Sequence, residues 1–168
     1  MCAFAEGTVV PIEKTRAEIE KLLARYKATG FAYGTKGPRT MMEFEMSDRR
    51  VRFTLTLPEP GDPRFRKTPS GRYMRSAQGS AEAYNAECRR LWRALHLSIL
   101  AKLEAVASGI TTFEKEFLAY VVLPTGRTVA DHAIPALQDA YTSQSMRPLL
   151  PGSDSIEPID SDASPPRS

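Results

Sequence analysis

The sequence predicts an α+β fold: an N-terminal helix, a three-stranded antiparallel sheet, a long helix across the sheet, and then two or three shorter helices. Three observations carry this. Apolar residues recur at helical spacing up to Tyr26, the period changes to two over residues 31–57, and a second helical stripe runs from Tyr84 to Val106. Periods of 3.6 and 2 separate amphipathic helices from half-buried strands.

Residues 1–11 show no periodicity and read as a flexible lead-in, although Val9-Val10-Pro11 would also suit a short edge strand. Thr15 followed by Glu18 makes a capping box, after which Ile19, Leu22, Leu23 and Tyr26 fall on one face before Gly30. Phe31 and Tyr33 lead to a turn at Gly37-Pro38. Met42, Phe44 and Met46 then alternate with Glu43 and Glu45, and Val51, Phe53, Leu55 and Leu57 alternate with Arg50, Arg52, Thr54 and Thr56. A tight hairpin at Ser47-Asp48 sets Met46 opposite Arg49, Phe44 opposite Val51 and Met42 opposite Phe53. The same register sets Glu45 opposite Arg50 and Glu43 opposite Arg52, so apolar and charged pairs sort onto opposite faces.

Residues 58–79 form a Pro- and Gly-containing loop of about twenty residues, a length that in a compact domain marks function or disorder. The longest helix follows, from about Ser80 to Ala107, with Tyr84, Cys88, Leu91, Trp92, Leu95, Ile99, Leu103 and Val106 as its stripe. It is about 40 Å long at the α-helical rise and stops at Gly109. Thr111 and Glu114 cap a short helix carrying Phe113, Phe117, Leu118 and Val121. Thr128 and Asp131 cap a last helix through Tyr141, in which Pro135 predicts a kink or a break. Residues 151–168 read as a disordered acidic tail, which leaves 12–150 as a single domain.

A chain of 168 residues, 42% of them hydrophobic, suits one core. No run approaches the roughly 20 apolar residues of a membrane span, and Glu6 interrupts the apolar start of a secretory signal. The expectation is a cytoplasmic protein without membrane contact. Cys2 and Cys88 make neither a disulfide framework nor a zinc cluster, so both read as reduced thiols. The net charge of +3 divides unevenly, with −3 on the tail and +6 on the body. Between residues 36 and 76, ten basic side chains stand against five acidic ones, which is where an anionic partner is sought.

The helix-then-three-strands order also opens the core of metal-dependent nucleases, which need an acid leading the middle strand and a Glu-x-Lys on the next. The third strand here has no carboxylate, and Glu43 and Glu45 are accounted for by Arg52 and Arg50 across the hairpin. Asp131-His132 has no obvious third ligand, and His96 has no Asp, Glu or Cys at ligand spacing. Cys88 has no histidine near it in sequence to activate it, and no glycine-rich phosphate cradle is present. No catalytic residue, metal site or cofactor is assigned, and binding is favoured over catalysis.

The loop carries the strongest binding signal. Arg64, Phe65, Arg66, Lys67, Arg72, Tyr73 and Arg75 interleave cations with two aromatics, so that phosphates meet the cations while bases stack on the rings. Arg89, Arg90 and Arg93, at the start of the long helix, extend the patch. The competing reading is a solvated connection whose aromatics pin it to the core. The expected partner is a single-stranded nucleic acid, with homo-oligomerisation through the long helix. A host protein bound by the helical C-terminal third is the alternative.

The order helix, three antiparallel strands, helix resembles the double-stranded RNA-binding domain, and its strand-strand-strand-helix part resembles phage single-strand annealing proteins. This chain has Ser80-Ala-Glu-Ala-Tyr84 where the first family starts its second helix with lysines, and it is shorter than the second. Residues 19–33, Gly109-Ile-Thr-Thr-Phe-Glu-Lys-Glu-Phe-Leu118, Leu123-Pro-Thr-Gly-Arg-Thr-Val129 and Pro148-Leu-Leu-Pro151 resemble small uncharacterised proteins encoded in phages and prophages. That resemblance covers residues 10–151 and implies a task in DNA replication, recombination or counter-defence, without assigning a site.

Overall fold

Helix α1, Ile12–Arg25, starts a turn ahead of Thr15 in the computed structural model, which describes residues 9–145. Thr15 is not the cap: it is buried inside the helix, and its hydroxyl donates to the Pro11 carbonyl at 3.3 Å. A threonine one turn into a helix satisfies its hydroxyl on the carbonyl four residues back, which frees it to pack inward. Its presumed capping partner, Glu18, reaches away from α1 to Arg93 at 2.6 Å. Of the expected lead-in, residues 9–11 carry neither helix nor strand. Residues 1–8 and 146–150 and the expected acidic tail at 151–168 lie outside the described residues.

Strands β1 (Gly30–Lys36), β2 (Arg39–Met46) and β3 (Arg49–Thr56) form an antiparallel sheet in the order β1-β2-β3. The β2–β3 register is the one the alternation predicts, with Met42 opposite Phe53, Glu43 opposite Arg52, Phe44 opposite Val51 and Glu45 opposite Arg50. It is set by a two-residue turn in which Ser47 and Asp48 both hold positive φ, 52° and 56°. Such a turn matches the twist of the flanking strands. Thr40, Met42, Phe44, Val51 and Phe53 are buried on the inner face. On the outer face Glu43 takes both arginines, Arg52 Nε at 2.5 Å and Arg50 Nε at 3.8 Å. Glu45, expected to hold Arg50, has no ion-pair partner among the described residues. Its side chain lies over Gly30, where the missing Cβ leaves room for it.

Helix α2, Ala77–Ala107, begins three residues before the expected start because Ser76 caps it, accepting from Gly79 N at 3.1 Å. Its 31 residues span about 46 Å at 1.5 Å per residue. Trp92, Ile99 and Leu103 from its buried stripe join Ile19, Leu22 and Leu23 of α1 and the inner face of the sheet in one core. Helix α3, Phe113–Phe117, is capped by Thr112, one residue after the expected Thr111. It closes the core with Phe117, which meets Phe44 and Phe53 edge-on at centroid distances of 6.0 and 6.4 Å. Tyr120 then stacks on Phe53 at 4.2 Å.

Helix α4, Val129–Ser143, has the expected capping box of Thr128 and Asp131, and it runs unbroken through Pro135. A proline inside a helix deprives the carbonyl four residues earlier of its amide donor. Here that carbonyl, on Asp131, accepts from Arg127 Nη2 at 2.9 Å, so the helix continues without an orphaned acceptor. No helix among the described residues is long and apolar enough to cross a membrane.

His96 belongs to the buried stripe of α2, 9% exposed, with Nδ1 unpartnered among the described residues. Burial, reinforced by the neighbouring Arg93 and partly opposed by Glu18, holds its pKa below the ordinary imidazole value. The unfolded imidazole therefore takes up a proton, near pH 6.5, before the folded one does. Stability is full above that pH and falls as pH drops through the interval down to the lower folded pKa. Thermal melts should show the midpoint falling between about pH 7.5 and 5.5, and falling less in His96→Leu. An equal fall in the variant would assign the dependence to other groups.

Candidate functional site

The segment between β3 and α2, expected as an irregular loop, is folded. Asp62 accepts from Arg64 N at 2.9 Å and starts a 3-10 turn, Pro63–Phe65. A small hairpin follows: Thr68 N donates to the Tyr73 carbonyl at 2.9 Å, Arg75 N donates to the Arg66 carbonyl at 2.7 Å, and Lys67 bridges Met74. Gly71, at φ +71°, supplies the left-handed residue at its tip.

This folding separates the predicted site residues into two groups. Phe65 is 6% exposed and packs edge-on against Tyr84 of α2, at 5.8 Å between centroids. It pins the hairpin to the helix, so its ring is not free to stack on a base, and its sequence assignment as a stacking residue is corrected. Arg64 covers the Phe65 ring at 4.7 Å and pairs with Asp62 at 3.1 Å. Arg75 donates to the Phe65 carbonyl at 3.3 Å. By contrast Arg66, Lys67 and Arg72 are exposed and make no ion pair among the described residues. Tyr73, next to Arg72 in the chain and 72% exposed, offers its ring to solvent, with Met74 exposed beside it.

The three helix arginines contribute unequally. Arg90 is held by Glu87 through two hydrogen bonds of 2.7 and 2.8 Å, and that guanidinium keeps the Glu87 carboxyl below its ordinary pKa. Arg93 is held by Glu18. Arg89 is half-buried. Arg90 and Arg93 of the patch predicted along the helix are thus neutralised by acids from α2 and α1, whereas Arg66, Lys67 and Arg72 of the hairpin keep unpaired positive charge among the described residues.

Beneath the hairpin, Cys88 is buried, and burial raises its thiol pKa above the ordinary value. The Tyr84 hydroxyl hydrogen-bonds it, which opposes that rise and lifts the tyrosine's own pKa. The protonated thiol is a core group. Among the described residues no three His, Cys, Asp or Glu side chains come together. Asp131 is spent on the α4 cap, which lowers its pKa, and His132 shares a hydrogen bond with Thr125 at 3.2 Å.

Two features had no sequence signal. Arg16 of α1 lies between the rings of Tyr33 and Trp92, 4.6 and 4.5 Å from their centroids, joining three elements that are distant in the chain. An open cleft of about 550 Å³ lies at the β2–β3 turn, where Glu45, Asp48, Arg49 and Arg50 meet Leu123 and Pro124. Its two acids and two arginines balance, so it has no preference for an anion. Comparison with protein-family models, curated proteins and solved structures gives no match for this chain.

If Phe65 is the pin, Phe65→Ala should cost about 3 kcal/mol of stability, at the low end for phenylalanine truncation. Hydrogen exchange should then find the Thr68 and Arg75 amides deprotected while those of β2 and β3 stay slow. Unchanged protection in the hairpin would show that it holds itself together.

Proposed function

We propose that the chain is a non-enzymatic nucleic-acid-binding protein that holds a single strand on the 66–74 hairpin. A role in phage replication or recombination follows from the resemblance noted above. The observation that carries the proposal is the juxtaposition of Arg66, Lys67 and Arg72, exposed and without ion pairs among the described residues, with the exposed ring of Tyr73. Cations in this state meet phosphates without first breaking a salt bridge, and each phosphate met releases condensed counterions. An exposed ring stacks on any base, since every base has a π face. Anchoring by Phe65 lowers the entropic cost of ordering the hairpin on binding. Arg64, exposed but paired with Asp62, and Arg75, bonded to the Phe65 carbonyl, act as supports of the hairpin.

A second reading has its own observation. Ile134, Leu137 and Tyr141 on α4 are all exposed, and their spacing of three and four puts them on one side of the helix. Such a stripe suits a protein partner, as in a phage-type inhibitor of a host factor.

Affinity of the full chain for a single-stranded oligonucleotide should fall steeply as salt is raised. Replacing Arg66, Lys67 and Arg72 by glutamine together should flatten the log–log salt slope by about 2, three contacts at about 0.7 each. Tyr73→Ala should cost about 1–3 kcal/mol of binding with little change in slope. No binding at low salt would overturn the proposal. Recovery of one host protein, lost in Ile134→Asp and indifferent to nucleic acid, would establish the second reading instead.

A further inference from the structure

The sheet has two edges, and they are treated differently. The β3 edge is covered over its first residues by Val122 N, which donates to the Arg50 carbonyl at 2.8 Å, and by the Val51–Val121 bridge. The β1 edge carries no strand among the described residues. Exposed edges are usually blocked by inward charges, proline or bulges. Strand β1, Gly-Phe-Ala-Tyr-Gly-Thr-Lys, has one charge, at its last position, no proline, and an unbroken register with β2.

The two-residue turn at Gly37-Pro38 makes Lys36 and Arg39 a hydrogen-bonded pair, and the bonding alternates from there. Residues 30, 32, 34 and 36 therefore bond to β2, while Phe31, Tyr33 and Thr35 turn their N–H and C=O groups outward. We propose that two copies of this chain pair through this edge, β1 against β1, antiparallel about a two-fold axis at Tyr33. In that register Tyr33 meets Tyr33 and Phe31 meets Thr35, each pair exchanging two hydrogen bonds. Moving the axis to Phe31 or Thr35 leaves outward residues of the strand without partners in the other strand.

Side chains on both faces agree with this register. On the inner face Tyr33 is 54% exposed at the rim, backed by the Arg16 guanidinium, and the symmetric pairing covers each Tyr33 with the other. On the outer face Gly30, Ala32 and Gly34 present little bulk. Lys36 of one copy falls opposite Gly30 of the other, and Gly30 is the residue that Glu45 lies across, its Oε2 3.7 Å from where a Cβ would stand. Glu45 has no cation partner among the described residues, and Lys36 and its neighbour Arg39 have no acid. The pairing brings the unpartnered acid of each copy to the unpartnered cations of the other, twice by symmetry. Helix α2, where oligomerisation was the sequence expectation, exposes no large apolar residue.

Sedimentation equilibrium of the full chain at micromolar concentration should give the mass of two copies. Lys36→Glu places like charges opposite Glu45 and should raise the dissociation constant about tenfold or more, and the exchange Lys36→Glu with Glu45→Lys should restore it. Thr35→Pro removes an outward amide that β2 does not use and should leave a monomer that still unfolds in one cooperative transition. If that variant fails to fold, the charge exchange decides alone. A monomeric wild type would overturn the proposal, and so would a dimer equally tight in Lys36→Glu and Thr35→Pro, which would show that the copies meet elsewhere.

Discussion

Ser47 and Asp48 hold the left-handed backbone of a two-residue turn, and that turn decides which side of the sheet every residue of β2 and β3 occupies. A slip of one residue would carry the apolar set to solvent and the charged set into the core. With the turn as it is, Phe44 and Phe53 stand inward and receive Phe117 edge-on and Tyr120 face-on, which docks the C-terminal third. Glu43 stands outward between Arg50 and Arg52. Arg52 continues to the Gly126 carbonyl at 2.7 Å, so the outer face also restrains the segment that leads into α4.

The placement of the hairpin follows from that core. Trp92, Ile99 and Leu103 seat α2 against α1 and the sheet, and the first turns of α2 then hold Tyr84 where Phe65 can pack on it. Ion pairing sorts the arginines by position. Arg52, Arg90 and Arg93 are neutralised by acids of β2, α2 and α1, whereas Arg66, Lys67 and Arg72, on a hairpin that carries no carboxylate, make no ion pair among the described residues. The outer face of the sheet follows the same logic in reverse: Glu43 takes two arginines, and Glu45 is left with none.

Much of this was legible in the sequence because it depends on neighbours along the chain. Alternation gave the strand register residue by residue, and the Thr128 and Asp131 box marked the start of α4. The cap of α3 was misplaced because two candidate hydroxyls lie side by side, Thr111 and Thr112, and spacing alone does not say which one the backbone turns to the amide. Thr15 was misread for a related reason. A threonine inside a helix and a threonine at its start look alike until Pro11 is seen to supply the acceptor.

By itself the sequence determined the α+β class, the order of the elements, the faces of the β2–β3 hairpin and the stretch in which basic and aromatic residues concentrate. Tertiary structure alone decided which of those residues remain available. Phe65 is taken by Tyr84, Arg93 by Glu18, and Arg16 is enclosed by Tyr33 and Trp92, while Tyr73 and the hairpin cations are left exposed. The physical reason is range. Periodicity and capping are written in residues a few positions apart, whereas the partner that buries a ring or neutralises a charge comes from an element tens of residues away and is known only once the core has assembled.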